Sequence, residues 1–255
     1  MNKIEVQYTK EDLKKDLEEG LKKDKYVKRI EILNNFEDVI IDNDDAQYIL
    51  NGGNNSKITN LNSCCDIEDL SDNTAIYNSG YHCGIRNYGD NSQIVNFGEK
   101  STIRIWGDNC CVLNFDKLSK ISGRKGTYIL YAKDGNIKDT KIVQIGNENY
   151  KDYKGEILKE DVEYILYNDE IYPVSKYMCK DIVILSEKNL YIEDLDKYIN
   201  ICEIINLNMS EKNFISKGFL VIDKKYKDEF IFETSICDLI KKINEIDNVE
   251  LNKKE

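Results

Sequence analysis

From Gly52 the chain divides without a gap into nonapeptides: GGNNSKITN, LNSCCDIED, LSDNTAIYN, SGYHCGIRN, YGDNSQIVN, FGEKSTIRI, WGDNCCVLN and FDKLSKISG. A looser unit, NDDAQYILN, precedes them. Self-similarity at a fixed period constrains a fold more than any local propensity. The seventh column reads Ile58, Ile67, Ile76, Ile85, Ile94, Ile103, Val112 and Ile121. The fifth is small, from Ser56 and Cys65 to Cys110 and Ser119. The ninth is Asn60, Asp69, Asn78, Asn87, Asn96, Ile105 and Asn114. Columns five, seven and nine alternate with six and eight, as a strand requires. Columns two to four are Gly-Asp-Asn-like turn chemistry, with residues that tolerate positive φ. Each unit therefore reads as one short strand plus one turn. Such strands cannot stand alone. Stacked in a parallel β-solenoid, each buries an aliphatic residue and pairs its backbone with the next coil. The ninth column then predicts a ladder of side-chain amides.

Column eight sets the size of a coil. One set of alternate repeats carries Glu68, Arg86, Arg104 and Ser122; the other carries Thr59, Tyr77, Val95 and Leu113. Alternation implies two strands and 18 residues per coil, with one charged, solvated face and one apolar outer face. At about 4.8 Å per coil, the stack stands about 20 Å tall. An apolar outer stripe marks an interface or a surface covered by another part of the chain. Ala75, Tyr77, Val95, Cys111 and Leu113 are the candidate interface. Column one places Leu70, Tyr88 and Trp106 before one face and Leu61, Phe97 and Phe115 before the other, as corner packing. Cys65 and Cys83 share a column and are expected to stack as small core filler.

The flanks are of another character. Residues 9–24, TKEDLKKDLEEGLKKD, predict a helix capped by Thr9, with Leu13, Leu17 and Leu21 in one stripe. RIEIL at 29–33 predicts a strand. TYILYA and KIVQIG flank an Asp134-Gly135 hairpin turn, and VEYILYNDEIYPV turns at Asn168-Asp169. Beyond 180, DIVILS and FLVID read as strands. IEDLDKYIN and SEKNFISKG read as short helices, the second from Ser210 to a C′ residue at Gly218. TSICDLIKKINEID, 234–247, reads as an amphipathic helix, and VELNKKE as a frayed tail. The expected class is mainly β, a parallel β-solenoid with an N-terminal helix and a C-terminal α+β region. The expected divisions are 1–42, 43–123, 124–176 and 177–255.

The repeats followed by GTYILYAKDGNIKDTKIVQIGNENY and VEYILYNDEIYPV resemble a group of short proteins common in phages and prophages. These place GDNAxV-like repeats before a small β domain. The resemblance covers about residues 43–175. It implies a β-solenoid and a mobile-element setting, and no functional residue carries over.

Several chemistries fit poorly. Calcium β-rolls need Asp in column six; here it holds Lys57, Asp66, Ala75, Gly84, Gln93, Thr102, Cys111 and Lys120. GEKST at 98–102 echoes a phosphate loop but lacks its Gly-Lys dipeptide, and Lys100 falls at a turn. The one histidine, His82, removes any site needing two His ligands and reads as a turn residue. The eight cysteines include no CxxC pair and read as free cytosolic thiols. Net charge is −11, which argues against direct nucleic-acid binding. Residues 43–123 carry ten acidic and six basic groups, a balance of −4. A duplex mimic of about 20 Å needs about 12 charges. No secretory leader or membrane span is expected from the sequence.

These readings converge on a non-enzymatic, cytoplasmic interaction protein without metal or cofactor. It would dock a protein partner or a second copy of itself. In the phage setting it would be an inhibitor of a bacterial defence system. A structural virion or tail component, or a metal-dependent enzyme within 180–255, are the alternatives.

Overall fold

The computed structural model describes residues 29–35, 38–41, 48–116, 118–133, 136–177, 180–192, 197–207, 216–222, 226 and 231–252. The helix expected over 9–24 lies outside these residues, as does the Asp134-Gly135 turn. The chain divides into two compact units, Met1–Ile171 and Tyr172–Glu255.

The first unit is a parallel β-solenoid. Its strands begin with β1 (Arg29–Ile32), β2 (Asp38–Ile41), β3 (Tyr48–Asn51), β4 (Lys57–Asn60), β5 (Asp66–Asp69) and β6 (Ala75–Asn78). They continue as β7 (Gly84–Asn87), β8 (Gln93–Asn96), β9 (Thr102–Ile105), β10 (Cys111–Asn114), β11 (Lys120–Gly123) and β12 (Tyr128–Lys133). After these come β13 (Asn136–Gln144), β14 (Tyr164–Tyr167) and β15 (Glu170–Pro173). Odd strands β1 to β11 make one sheet, which continues into β14 and β15; even strands β2 to β12 make the other, which ends on β13. Ile67 pairs with Ile85 and Ile76 with Ile94, 18 residues apart in each case. Two strands per coil follow from that pairing.

The core is the seventh column. Ile58, Ile67, Ile76, Ile85, Ile94, Ile103, Val112 and Ile121 are all buried. The small fifth-column residues lie beside them and are buried as well. Asn55, Cys64, Asn73, His82, Asn91, Lys100 and Asn109 take φ between 54° and 58°. The His82 N–H donates to Glu99 O at 2.8 Å, binding its turn to the next. The glycine column has a different cause from the positive φ expected of it. A Cβ on Gly89 would fall 1.6 Å from the carbonyl oxygen of Ser71. Gly is present because the backbones of successive coils touch.

The amide ladder forms on one sheet and fails on the other. Asn60 Nδ2 donates to Asn78 Oδ1 at 2.8 Å, Asn78 to Asn96 at 2.7 Å, and Asn96 to Asn114 at 2.8 Å. On the odd-strand sheet, Asn51 donates to Asp69 Oδ1 at 2.8 Å. A carboxylate has no N–H to pass on, and Ile105 pairs in register with Asn87. Asn87 Oδ1 is left buried without a donor.

The solenoid stops where its sheets turn antiparallel. β12 continues the even sheet and pairs antiparallel with β13, while β14 pairs antiparallel with β11. These hairpins cover strand edges that would otherwise template association. The β segment expected beyond 124 is thus continuous with both sheets. Asn168 and Asp169 both take positive φ, the signature of a type I′ turn.

The second unit is an antiparallel sheet of β16 (Ser175–Tyr177), β17 (Lys180–Ile192), β18 (Lys197–Asn206), β19 (Ser216–Val221) and β20 (Phe232–Glu233), with helix α1 (Ile236–Asn252). Two expected helices are corrected. Of the first, Ile192 closes β17 and Lys197–Asn200 open β18, where KYINICEII alternates β-branched residues that pack both sheet faces; residues 193–196 lie outside the described set. Of the second, Ser216–Gly218 belong to β19, and Gly218 pairs with Ile204 rather than closing a helix. Residues 210–215 lie outside the described set. The C-terminal helix does form. Leu239 and Ile243 are buried against Ile199, Ile201 and Val221, with Ile240 and Ile246 beside them. Its cap is Ser235, whose Oγ accepts from the Asp238 N–H at 3.1 Å. The helix reaches Asn252, so VELN is helical rather than frayed.

Candidate functional site

Side chains of columns six and eight point away from the core on each sheet. On the even-strand sheet, register brings the expected interface residues side by side. Tyr77 pairs with Val95, and Val95 with Leu113. Ala75 and Cys111 both flank Gln93 in the adjacent column. Tyr77 is 37% exposed, and the other four are half-buried by their neighbours. Burial raises the Cys111 thiol above its ordinary value.

The row extends beyond the residues expected from the repeat. Ile40 pairs with Thr59 at one end; Leu130 pairs with Leu113 and with Ile142 at the other. Ile40 is 70% exposed and Ile142 48%. The outer row therefore runs Ile40, Thr59, Tyr77, Val95, Leu113, Leu130, Ile142 across seven strands. Sequence reasoning missed its ends because the pairing offset changes there. Ile40 lies 19 residues before Thr59, and Leu130 lies 17 after Leu113. The alternation of TYILYA is the signal that marks Leu130. Lys57 lies 3.9 Å from Asp38 and 5.6 Å from the Tyr77 ring centroid, so it borders the row at the Ile40 end. Phe97 and Phe115 stack at 4.4 Å on one corner, and Tyr88 and Trp106 at 4.7 Å on the other.

The odd-strand sheet carries charge on its outer side, but the expectation of a freely solvated face needs correction. Glu68 is 6% exposed. Its Oε1 accepts from Arg86 Nη1 at 3.1 Å. Arg104 donates through Nε and Nη2 to Glu163 Oε1 at 3.0 and 2.7 Å. Ion pairing and the neighbouring Tyr88 close the sides of this face: burial and then Glu68 push the Tyr88 hydroxyl above its usual range.

Cys65 and Cys83 are buried neighbours in successive coils and are free thiols. Burial, followed by Cys83 and Asp66, pushes Cys65 up to about 12. Among the described residues no three His, Cys, Asp or Glu side chains are placed to hold a metal ion. Among them, too, no helix is long and apolar enough to cross a membrane. Comparisons with protein-family models, curated proteins and solved structures find no match.

Proposed function

We propose that this chain is a non-enzymatic interaction protein that docks through the outer face of its even-strand sheet. The observation that carries the reading is the in-register apolar row from Ile40 to Ile142. We read each coil as two nine-residue units, and that regularity keeps the row straight. Six strand steps of about 4.8 Å make the row about 29 Å long. A second copy of the chain is the occupant the row itself accommodates. A two-fold axis through Val95 would set Ile40 against Ile142, Thr59 against Leu130 and Tyr77 against Leu113. In the adjacent column it would set Asp38 against Gln144, Lys57 against Tyr128 and Ala75 against Cys111. No like charges meet. Four residues of strand are about 13 Å wide, so the face covers about 380 Å². That is about half of what each partner contributes to a standard interface. The self-association expected is therefore weak.

In the phage or prophage setting that the repeats suggest, the same face would serve an inhibitor of a bacterial defence system in the host cytosol. Sedimentation of the full chain from about 5 to 500 µM tests the self-association. Concentration-dependent dimerisation lost in Val95→Asp supports the reading, since two carboxylates then meet on the axis. A chain that stays monomeric at 500 µM refutes the second-copy occupant. A dimer that Val95→Asp and Tyr77→Asp leave unchanged refutes the face.

A further inference from the structure

On the other sheet lies a pocket of about 340 Å³, lined by Arg86, Arg104, Lys100, His82, Asp66 and Thr102 among others. Its floor is Gly84. No positive φ requires glycine there. Gly84 pairs in register with Asp66 and Thr102, which both carry side chains in the same outward column. A glycine within a strand weakens it and often marks a place where a ligand approaches the backbone. Here the missing side chain leaves room into which the Asp66 carboxylate folds. A Cβ on Gly84 would fall 2.1 Å from Asp66 Oδ1.

The lining is cationic in an acidic chain. Arg86, Arg104 and Lys100 line it with Asp66 as the one acidic lining residue, against −11 for the whole protein. Arg86 and Arg104 are register partners on adjacent parallel strands. Like charges so placed repel. Each is held from the side: Arg86 Nη1 by Glu68 at 3.1 Å and Asp66 at 3.7 Å, Arg104 by Glu163. Among the described residues these contacts leave Arg86 Nε and Nη2 and Arg104 Nη1 without a hydrogen-bond acceptor. Lys100 sits on a turn at φ 54°, with its ammonium 5.6 Å from the Tyr81 ring centroid.

We propose that this pocket binds the phosphoryl group of a small phosphate ester between Arg86, Arg104 and Lys100. Paired guanidiniums and an ammonium match a dianion with several acceptor oxygens better than a single carboxylate. The volume exceeds what a lone phosphate needs and falls within the range of small-ligand sites. Asp66 and Thr102 are there to meet hydroxyls of the ester. The inference is independent of the docking face, which lies on the even-strand sheet.

His82 is the one histidine of the chain, so its ring protons give a single resolved histidine signal from the pocket itself. The full chain is titrated at constant pH and 0.15 M salt with inorganic phosphate, ribose 5-phosphate and ribose. Saturable shifts of His82 with the two phosphates, and none with ribose, are expected. Tighter binding of the ester identifies an ester site; equal binding identifies a phosphate site, and either supports a phosphoryl pocket. Lys100→Asn keeps a turn residue used at Asn91 and Asn109 and should weaken binding about 10-fold. Gly84→Gln fills the pocket and should abolish saturation. Linear shifts to 20 mM, equal shifts with ribose, or unaltered binding in both variants would overturn the proposal. If Gly84→Gln does not fold, Lys100→Asn decides alone.

Discussion

Replacing Asp69 by Asn should stabilise the solenoid. Asp69 is fully buried, and its Oδ1 accepts from Asn51 Nδ2 at 2.8 Å, the Ser71 N–H at 3.1 Å and Thr74 Oγ1 at 3.3 Å. An asparagine in the same rotamer keeps all three on its own Oδ1. Its Nδ2 then faces Asn87, the register partner one coil on. Asn87 Oδ1 has no donor. The even-strand sheet shows the geometry that results, with Asn60 donating to Asn78 at 2.8 Å. A buried unmade hydrogen bond costs about 1–3 kcal/mol, so the gain should be about 2 kcal/mol. For a unit of this size that raises Tm by about 4–8 °C. Trp106 is the one tryptophan of the chain and stacks on Tyr88 within the solenoid. Its fluorescence therefore follows this unit alone during thermal or guanidinium unfolding. The converse change, Asn96→Asp, removes the N–H donated to Asn114 and buries a carboxylate; a loss of about 3 kcal/mol or more is expected. An Asp69→Asn variant no more stable than the parent would refute the account of the broken ladder.

Gly89→Ala drives a methyl group into the Ser71 carbonyl and should cost about 3 kcal/mol, read from the same Trp106 transition. Gly126→Ala meets open space and strains only φ, with a loss of about 1 kcal/mol. Alkylation at pH 8 followed by mass spectrometry should label Cys64 and Cys237, which are exposed, and spare buried Cys65, Cys83, Cys110 and Cys202 until the chain unfolds. Rapid labelling of Cys65 would contradict its burial and raised pKa. In the second unit, a hydrogen bond from Lys217, aided by Lys188, holds the Glu203 carboxyl below its usual range. Its folded value is depressed. The stability it adds is therefore present above the unfolded value near 4.3 and is lost as pH falls through the lower folded value. Glu203→Gln should remove up to about 1 kcal/mol at pH 7 and flatten the denaturation midpoint between pH 5 and 3. An unchanged profile would refute the assignment.

Much of the first unit is legible in the residues, because each coil repeats the same local instructions. The isoleucine column, the small column and the left-handed turn residues are set by their own chemistry, and alternation at column eight separates the two sheets. The C-terminal region offered no such redundancy. KYINICEII holds enough apolar residues to suit a helix or a strand. Pairing with β17 and β19 makes it a strand, since that long hairpin satisfies its backbone and buries both faces.

The candidate face was legible only at its centre. Tyr77, Val95 and Leu113 follow from the repeat, whereas Ile40, Leu130 and Ile142 join through pairing offsets and an antiparallel strand. The glycine of column six tells a similar story. Alone, Gly84 is one more small residue; stacking places Asp66, Arg86, Thr102 and Arg104 around it and makes a pocket. By itself, then, the sequence determined which side chains face inward, because strand alternation and turn chemistry act within a few residues. The tertiary structure decided what stands beside what, because each neighbour comes from another coil and is chosen by register.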